Sequence, residues 1–393
     1  MAEVAVFSLG KMLDQRKNRG DSLPYLANKN VRWGEFDLTE LREMRFEERE
    51  LERFSVKNGD IVMCEGGEPG RCAIWREQLP KMMYQKALHR IRPHEGMNEV
   101  FLYYNLSHRA KAGHLSGLFT GATIKHLPKE KLALVEVDVP DIPIQERIAA
   151  ILSAYDDLIE NNRRRIALLE QAARLLYREW FVHFRFPGHE TATFMDGLPE
   201  GWLSTRVGNL GSVITGKTPP KKVAENFGGP IPFIKTPDMH GNIFVISTDE
   251  TLTEQGAKTQ AKKTLPPGSI LVSCIGTVGV VTLNATEAQF NQQINAVVPD
   301  PENSNFYVYF ALENIKPKLE ALGGGVTMAN VSKSKFESVP VPLPHPTVQQ
   351  EFHETVAPMF DQVLQLARLN AQLTRARDLL LPRLMDGRIP VSV

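Results

Sequence analysis

The sequence predicts an α+β protein: two similar β-rich domains joined by two long helices that pair as an antiparallel coiled coil, the whole a pseudo-twofold internal duplication. Three observations predict it. The second half of the 393-residue chain repeats the first. Two segments carry apolar residues at alternating steps of four and three. Each of those segments holds one asparagine, and a single antiparallel register brings the two together.

The repeat comes first. When Tyr307 is laid on Tyr103, the halves run without a gap from about Phe101 to Leu176. Gly325 falls on Gly121, Thr327 on Thr123, Lys333 on Lys129 and Lys335 on Lys131; Val339, Val341 and Pro344 meet Val135, Val137 and Pro140. Gln349 meets Gln145, and Asp361 meets Asp157. Upstream the offset drifts by a few residues, and Gly268, Gly276 and Gly279 match Gly59, Gly67 and Gly70. So many coincidences at one offset mark a duplication. The predicted organisation is a first domain over 1–143, a helix over 144–185, a linker over 186–199, a second domain over 200–346 and a second helix over 347–388.

Within the domains, short apolar runs alternate with Gly, Pro and Asn turns. Gly59-Asp60-Ile-Val-Met and Gly268-Ser269-Ile-Leu-Val-Ser each read as a turn followed by a buried strand. The charged stretch Glu40 to Arg53 reads as a solvated helix.

The helices follow. The first seam is Ile148, Leu152, Tyr155, Ile159, Asn162, Ile166, Leu169, Ala173, Leu176 and Trp180. The second is Phe352, Val356, Met359, Val363, Leu366, Asn370, Leu373, Arg377, Leu380 and Leu384. Steps of four and three mark a coiled-coil seam rather than a general amphipathic face. If Ile148 opposes Leu384, the same antiparallel register sets Asn162 opposite Asn370. A buried asparagine pair satisfies itself and fixes register, whereas a lone one costs stability. The first helix also carries apolar residues off the seam, Ile151, Leu158, Leu168, Leu175 and Phe181, which need a further surface to cover them. A helix of about 40 residues is roughly 60 Å long. One turn of B-DNA is about 34–36 Å, so such a pair is long enough to hold two domains over separated half-sites.

Composition sets limits on function. Lys+Arg and Asp+Glu both number 46, so a nucleic-acid binder of this balance must use local basic patches rather than bulk charge. Cys64, Cys72 and Cys274 form no CxxC pair and lie near no histidine at metal spacing; a sparse, odd set is expected to be reduced thiols in the cytoplasm. No metal or cofactor is expected. Met1-Ala2-Glu3-Val4 has no secretory character, and the apolar run Gly268 to Leu283 is too short and too interrupted to span a bilayer.

Two motifs imitate chemistry. Gly211-Ser-Val-Ile-Thr-Gly216-Lys217-Thr218 fits the P-loop pattern, but Pro219-Pro220 obstructs the helix that must start there to aim amides at phosphate. Ser332-Lys333-Ser334-Lys335 fits S-x-x-K, yet it aligns with Pro128-Lys129-Glu130-Lys131 in the other repeat. Asp156, Asp157 and Glu160 read as a solvated coiled-coil flank, as does Arg163-Arg164-Arg165. No catalytic residue is assigned, since amino-methylation, GxGxxG and HExxH motifs are all missing.

The candidates for DNA contact are polar side chains of the β-rich domains. In the first domain they are Lys29, Asn30, Arg32, Arg71, Tyr84, Gln85, Lys86 and His89. In the second, Lys217, Thr218, Lys221 and Lys222 suit backbone phosphates, and Lys235, Thr236, Asp238, His240, Asn291, Gln292 and Gln293 suit base edges. Asn and Gln can pair bidentately with adenine, and Arg or Lys with guanine.

Gly268-Ser-Ile-Leu-Val-Ser-Cys-Ile-Gly-Thr-Val-Gly279, Asn291-Gln-Gln-Ile-Asn-Ala, Val339-Pro-Val-Pro-Leu-Pro and Ile142-Pro-Ile-Gln-Glu-Arg-Ile resemble strings of the specificity subunits of type I restriction-modification systems. So do Phe181-Val-His-Phe-Arg-Phe-Pro-Gly188, Leu198-Pro-Glu-Gly-Trp202 and Thr215-Gly-Lys-Thr-Pro219. The likeness covers essentially the whole chain, through the order and duplication of these strings. The first domain departs from it, starting at Val4 to Lys11 without the Leu-Pro-Glu-Gly-Trp lead-in and carrying an atypical Glu65-Gly-Gly-Glu-Pro-Gly70 loop.

The resemblance implies two target-recognition domains, each reading half of a bipartite site in double-stranded DNA. It also implies helices that dock two methyltransferase subunits, with restriction-motor subunits joining them. Methyl donor, ATP and magnesium then belong to the partners, and site-specific adenine methylation and ATP-dependent cleavage to the complex. Three rival readings stand beside it: the equivalent subunit of a type IIB system, a self-sufficient methyltransferase or nuclease, and a structural adaptor that ignores DNA.

Overall fold

The computed structural model describes residues 1–14, 18–324 and 329–391; Gly325 and Thr327 of the repeat lie outside the described residues. The chain divides into two compact units, Met1–Ile159 with Gln372–Val393, and Glu160–Ala371.

In the first unit, β1 (Ala5–Leu9), β2 (Asp21–Leu26), β3 (Arg42–Phe46), β4 (Ile61–Cys64), β5 (Cys72–Ile74), β6 (Met83–Tyr84) and β7 (Leu88–Pro93) form two sheets. One has the order β1-β7-β4-β5 with antiparallel neighbours; the other has the order β3-β2-β6, with β2 antiparallel to β3 and parallel to β6. β4 is apolar and buried at every position because both its faces are covered. Gly59 turns the chain into it at φ +83°, a backbone conformation that suits glycine. A helix, Glu99–Lys111, lays Phe101, Leu102 and Leu106 into a core shared with Ile61, Met63 and Ile91. Ile148 and Leu152 of the first long helix (Ile142–Tyr177) and Leu381 and Leu384 of the second (Pro346–Met385) complete that core.

The stretch Glu40 to Arg53 is not one helix. β3 occupies Arg42–Phe46, and a helix begins only at Glu48. Met44 and Phe46 are buried while Arg42, Glu43 and Arg45 face outward, a period of two that the charge content masked.

The second unit opens with the hairpin β8 (Phe194–Met195) and β9 (Leu198–Pro199), followed by β10 (Leu203–Arg206), which pairs with β19 (Pro340–Leu343). This hairpin lies within the expected linker, whose Phe186 is buried with its ring 5.3 Å from Trp202. Between them run β11 (Gly211–Thr215), β12 (Phe227–Ile234), β13 (Phe244–Val245), β14 (Thr251–Leu252), β15 (Ile270–Ser273), β16 (Val281–Asn284), β17 (Gln289–Phe290) and β18 (Ile294–Pro299). The sheet orders are β11-β18-β15-β16-β13 and β14-β12-β17, with β12 antiparallel to β14 and parallel to β17. Strand order and pairing sense match those of the first unit, with β13 as an added edge strand.

Tyr177, Phe181, Tyr307, Phe310, Phe352 and Phe360 pack in the main core of this unit. The first long helix is regular to Tyr177 and continues as a π-helical turn over Arg178–Val182. Off the seam, Phe181 is buried, whereas Leu158, Leu168 and Leu175 are exposed.

Candidate nucleic-acid interface

The site in the second unit begins with a glycine. β11 ends at Thr215, and Gly216 passes so close to the β17–β18 turn that a Cβ there would lie 2.1 Å from the Asn291 carbonyl oxygen. Only glycine permits that approach. Lys217 then donates its backbone N–H to the Phe290 carbonyl at 2.9 Å and turns outward. Because Gly211–Thr215 is a paired strand, no phosphate-cradling loop-helix forms here, as Pro219-Pro220 foretold.

The turn is held by Asn291. Its backbone N–H donates to the Ile234 carbonyl at 3.0 Å, its Oδ1 accepts from the Gln293 N–H at 3.0 Å, and its Nδ2 donates to Gln293 Oε1 at 3.0 Å. Asn291 is therefore buried and braces the turn, while Gln292 is exposed. Thr218 Oγ1 donates to Gln292 Oε1 at 2.7 Å and orients that amide. Thr218, Pro219, Lys221, Lys235, Asn291, Gln292 and Gln293 line a cleft of about 540 Å³. Six of these seven are among the sequence candidates; Pro219 is the addition.

Lys235 pairs with Glu250 at 2.8 Å, and Lys221 and Lys222 are exposed. A cleft with lysine charge and oriented amides can hold phosphate oxygens and offer donors and acceptors to base edges. Glu250 was missed from sequence because nothing local marks it as facing Lys235. His240 is exposed but does not line the cleft, and Thr236 is buried. Asp238 accepts from the backbone N–H groups of Lys235 at 2.8 Å and Asp249 at 3.2 Å, so it braces the loop.

The first unit repeats the geometry with a different outcome. A Cβ on Gly10 would lie 2.4 Å from the Tyr84 carbonyl oxygen, Lys11 donates its backbone N–H to that oxygen at 3.1 Å, and Gln85 N–H donates to Leu26 at 3.1 Å. Gly10-Lys11 thus stands where Gly216-Lys217 stands, a match the shared Gly-Lys string could have revealed. Yet Lys11 is buried, its ammonium bonded to the Glu50 carboxylate and the Arg45 carbonyl. Its charge is spent inside the fold.

Several candidates of this unit are corrected by their surroundings. Tyr84 is fully buried with its hydroxyl 2.7 Å from Ser8 Oγ, and burial raises its pKa. His89 is fully buried, its Nε2 2.7 Å from the Leu127 carbonyl, and burial lowers its pKa against the opposing pull of that hydrogen bond. Asn30 is buried and spends its amide on Ala27 N–H and on the Asp37 and Glu40 carbonyls, as Asp238 does in its own loop. The Arg71 guanidinium is tied to Asn28 and Glu68. Side chains so enclosed cannot reach a base edge. Lys29, Arg32 and Lys86 are exposed and Gln85 half-buried; Lys29 and Arg32 pair with Glu40 and Asp37 at 2.8 and 3.3 Å.

Polar contacts also tie the long helices to each other and to helices of their own units. In the second unit, Asn162 Nδ2 donates to Asn370 Oδ1 at 2.9 Å, and Arg174 grips Glu313 with two bonds of 3.1 and 2.9 Å. In the first, Asp156 is not a solvated flank residue: Arg377 and the Tyr104 hydroxyl both donate to its carboxylate. Asp157, Glu160, Arg164 and Arg165 are exposed as expected. Ser332 caps the short helix Lys333–Glu337, which explains the S-x-x-K match structurally. The three cysteines are buried, and desolvation pushes the Cys64 and Cys274 thiols up to about 11. Among the described residues no helix is long and apolar enough to cross a membrane, and no group of three or more His, Cys, Asp or Glu is placed to hold a metal ion.

Known proteins are similar to this chain in sequence and in fold. Residues 6–171 and 199–375 both match the type I restriction modification DNA specificity domain. The type I restriction enzyme HindI specificity subunit of Haemophilus influenzae is 27% identical, over 93% of this chain and 89% of its own. The MjaIX specificity subunit of Methanocaldococcus jannaschii is 24% identical, over 95% and 88%. The crystal structure of the type I restriction-modification S subunit from M. genitalium matches in fold, with a TM-score of 0.59 over 100% of this chain and 95% of that one at 16% identity. With two matched segments spanning most of its length, the chain belongs to the type I restriction-modification DNA specificity family.

Proposed function

We propose that this DNA specificity subunit reads a bipartite site in double-stranded DNA, one half-site per β-rich domain, and performs no chemistry itself. Its long helices form an antiparallel coiled coil, set the unread gap, and dock two methyltransferase subunits, which restriction-motor subunits join. The observation that carries it is a repeated loop geometry: in each unit a Gly-Lys pair ends a strand, β1 or β11, against the turn that leads into its antiparallel partner, β7 or β18. Strand order repeats as well, which supports an origin by duplication. The Asn162–Asn370 bond in one unit and the Arg377–Asp156 pair in the other fit the register in which Ile148 opposes Leu384.

In this reading Lys217, Lys221 and Lys222 hold phosphates, while Lys235, Gln292 and Gln293 face bases. Lys29, Arg32, Gln85 and Lys86 serve the other half-site. Exposed Leu158, Leu168 and Leu175 supply apolar area for the methyltransferase contact.

The test is single-molecule sequencing of DNA from cells carrying this chain and its methyltransferase. The expected result is one methylated adenine motif in two parts, separated by a gap of fixed length. A continuous motif, or methyl transfer by the purified chain alone, would contradict the reading.

A further inference from the structure

Two glutamines occupy equivalent positions and make equivalent bonds. Asn98 caps the helix Glu99–Lys111, accepting from Val100 and Phe101; Ser304 caps the helix Asn305–Asn314, accepting from Tyr307. The backbone N–H of a cap residue also needs an acceptor, which in a capping box comes from Glu or Gln three residues on. Here those positions hold Phe101 and Tyr307, neither of which can reach back.

The long helices supply the acceptor instead. Gln145 Oε1 accepts from the Asn98 N–H at 2.9 Å, and Gln349 Oε1 accepts from the Ser304 N–H at 3.3 Å. The other ends are equally committed. Gln145 Nε2 donates to the Pro140 carbonyl at 2.7 Å and to Gly96 at 3.3 Å; Gln349 Nε2 donates to Pro344 at 3.2 Å and to Asn303 Oδ1 at 3.3 Å. Both side chains are buried, at 1% and 2% exposure. Apolar packing resists sliding weakly, whereas a buried amide bonded at both ends tolerates only one direction of approach.

We propose that Gln145 and Gln349 are positioning residues: each completes, from the first turn of a long helix, the cap of a helix in the adjoining β-rich domain, and so fixes the angle at which that domain meets its long helix. The consequence for the DNA rests on the bipartite reading above, since that angle helps set the gap between half-sites.

The test has two arms, both on the full chain. In the first, Lys262→Cys and Gln365→Cys carry spin labels, and their separation is measured by pulsed double-resonance spectroscopy in the parent, in Gln349→Met and in Val356→Ala. Val356 is a fully buried core residue of the same unit, and its truncation serves as a stability control. One narrow distance is expected in the parent and in Val356→Ala, with a broadened or displaced distribution in Gln349→Met. An unchanged distribution in Gln349→Met, or equal broadening in Val356→Ala, overturns the proposal.

In the second arm the same chains, with their methyltransferase, select from a DNA library of varied gap lengths. Gln349→Met is expected to gain about tenfold in acceptance of gaps one base pair off, the equivalent of one lost hydrogen bond. Unchanged gap selectivity in Gln349→Met overturns the proposal as well. A parent with no gap preference overturns the bipartite reading, while the label distances still decide the role of the glutamine.

Discussion

Asn162 donates its side-chain amide to the Asn370 side-chain carbonyl across 2.9 Å, and Asn162 is almost fully buried. The two residues are not repeat equivalents, so their meeting comes from the register of the helices and not from symmetry of sequence. Replacing Asn370 with leucine strands the buried Asn162 amide. The expected loss is about 1–3 kcal/mol, measured by urea denaturation. The double variant Asn162→Leu with Asn370→Leu should recover most of it, giving a coupling of about 1 kcal/mol or more in a double-mutant cycle. Strictly additive losses would contradict the pairing.

A second anchor lies in the other unit. Asp156 receives Arg377 and the Tyr104 hydroxyl, with side chains 34% exposed for the aspartate and 19% for the arginine. Partial exposure screens the pair, so Arg377→Met should cost about 1–3 kcal/mol, less than the 3–5 of a fully buried pair. Tyr104→Phe removes one hydrogen bond and should cost about 1 kcal/mol. Thermal denaturation of the two variants checks the order; a larger loss in Tyr104→Phe would contradict it.

These helices were legible because their information is periodic and local. Ile148, Leu152 and Ile159 follow the alternating steps, and one register decides which asparagines face each other. The domains were less legible. The parallel pairing of Tyr25 with Met83 joins distant strands that no local pattern links. Loop residues misled for a related reason: Asn30 and Asp238 are residue types that read bases, and equally types whose side chains cap turns. Lys11 resembles Lys217 in sequence, but its neutralising partner Glu50 lies 39 residues away. Thr218, Lys221, Lys235 and Gln292, proposed from polar runs beside glycine and proline, come together in one cleft because such runs mark loops.

Acid should weaken the fold through His89. Burial holds its pKa below the usual 6.5, so the folded state excludes a proton that the unfolded chain accepts. This stabilising contribution is whole above pH 6.5 and is lost as pH falls through that value, by up to about 1.4 kcal/mol per pH unit. Denaturation midpoints at about pH 8 and about pH 5 should differ less in His89→Gln, which does not titrate and retains a donor for the Leu127 carbonyl. An identical pH dependence in the variant would remove His89 from the account.

The cleft residues should separate into two kinds. Lys221→Ala should weaken binding uniformly across DNA sequences and lower the salt slope by about 1. Gln292→Ala should cost about 1–3 kcal/mol on the recognised site and relax one base position in one half-site. Fluorescence-anisotropy titrations at several salt concentrations, on matched and mismatched duplexes, distinguish them. Equal losses on every duplex for Gln292→Ala would make it a phosphate contact instead.

If paired helices set the distance between two reading domains, shortening both must shorten the gap. Removing a heptad from both helices shortens each by about 10 Å, or about 3 base pairs of duplex at 3.4 Å per step. The methylated motif of the shortened chain, read by single-molecule sequencing, should keep both half-sites and lose about 3 base pairs from its gap. A folded, active, shortened chain that methylates with the original gap would contradict the account.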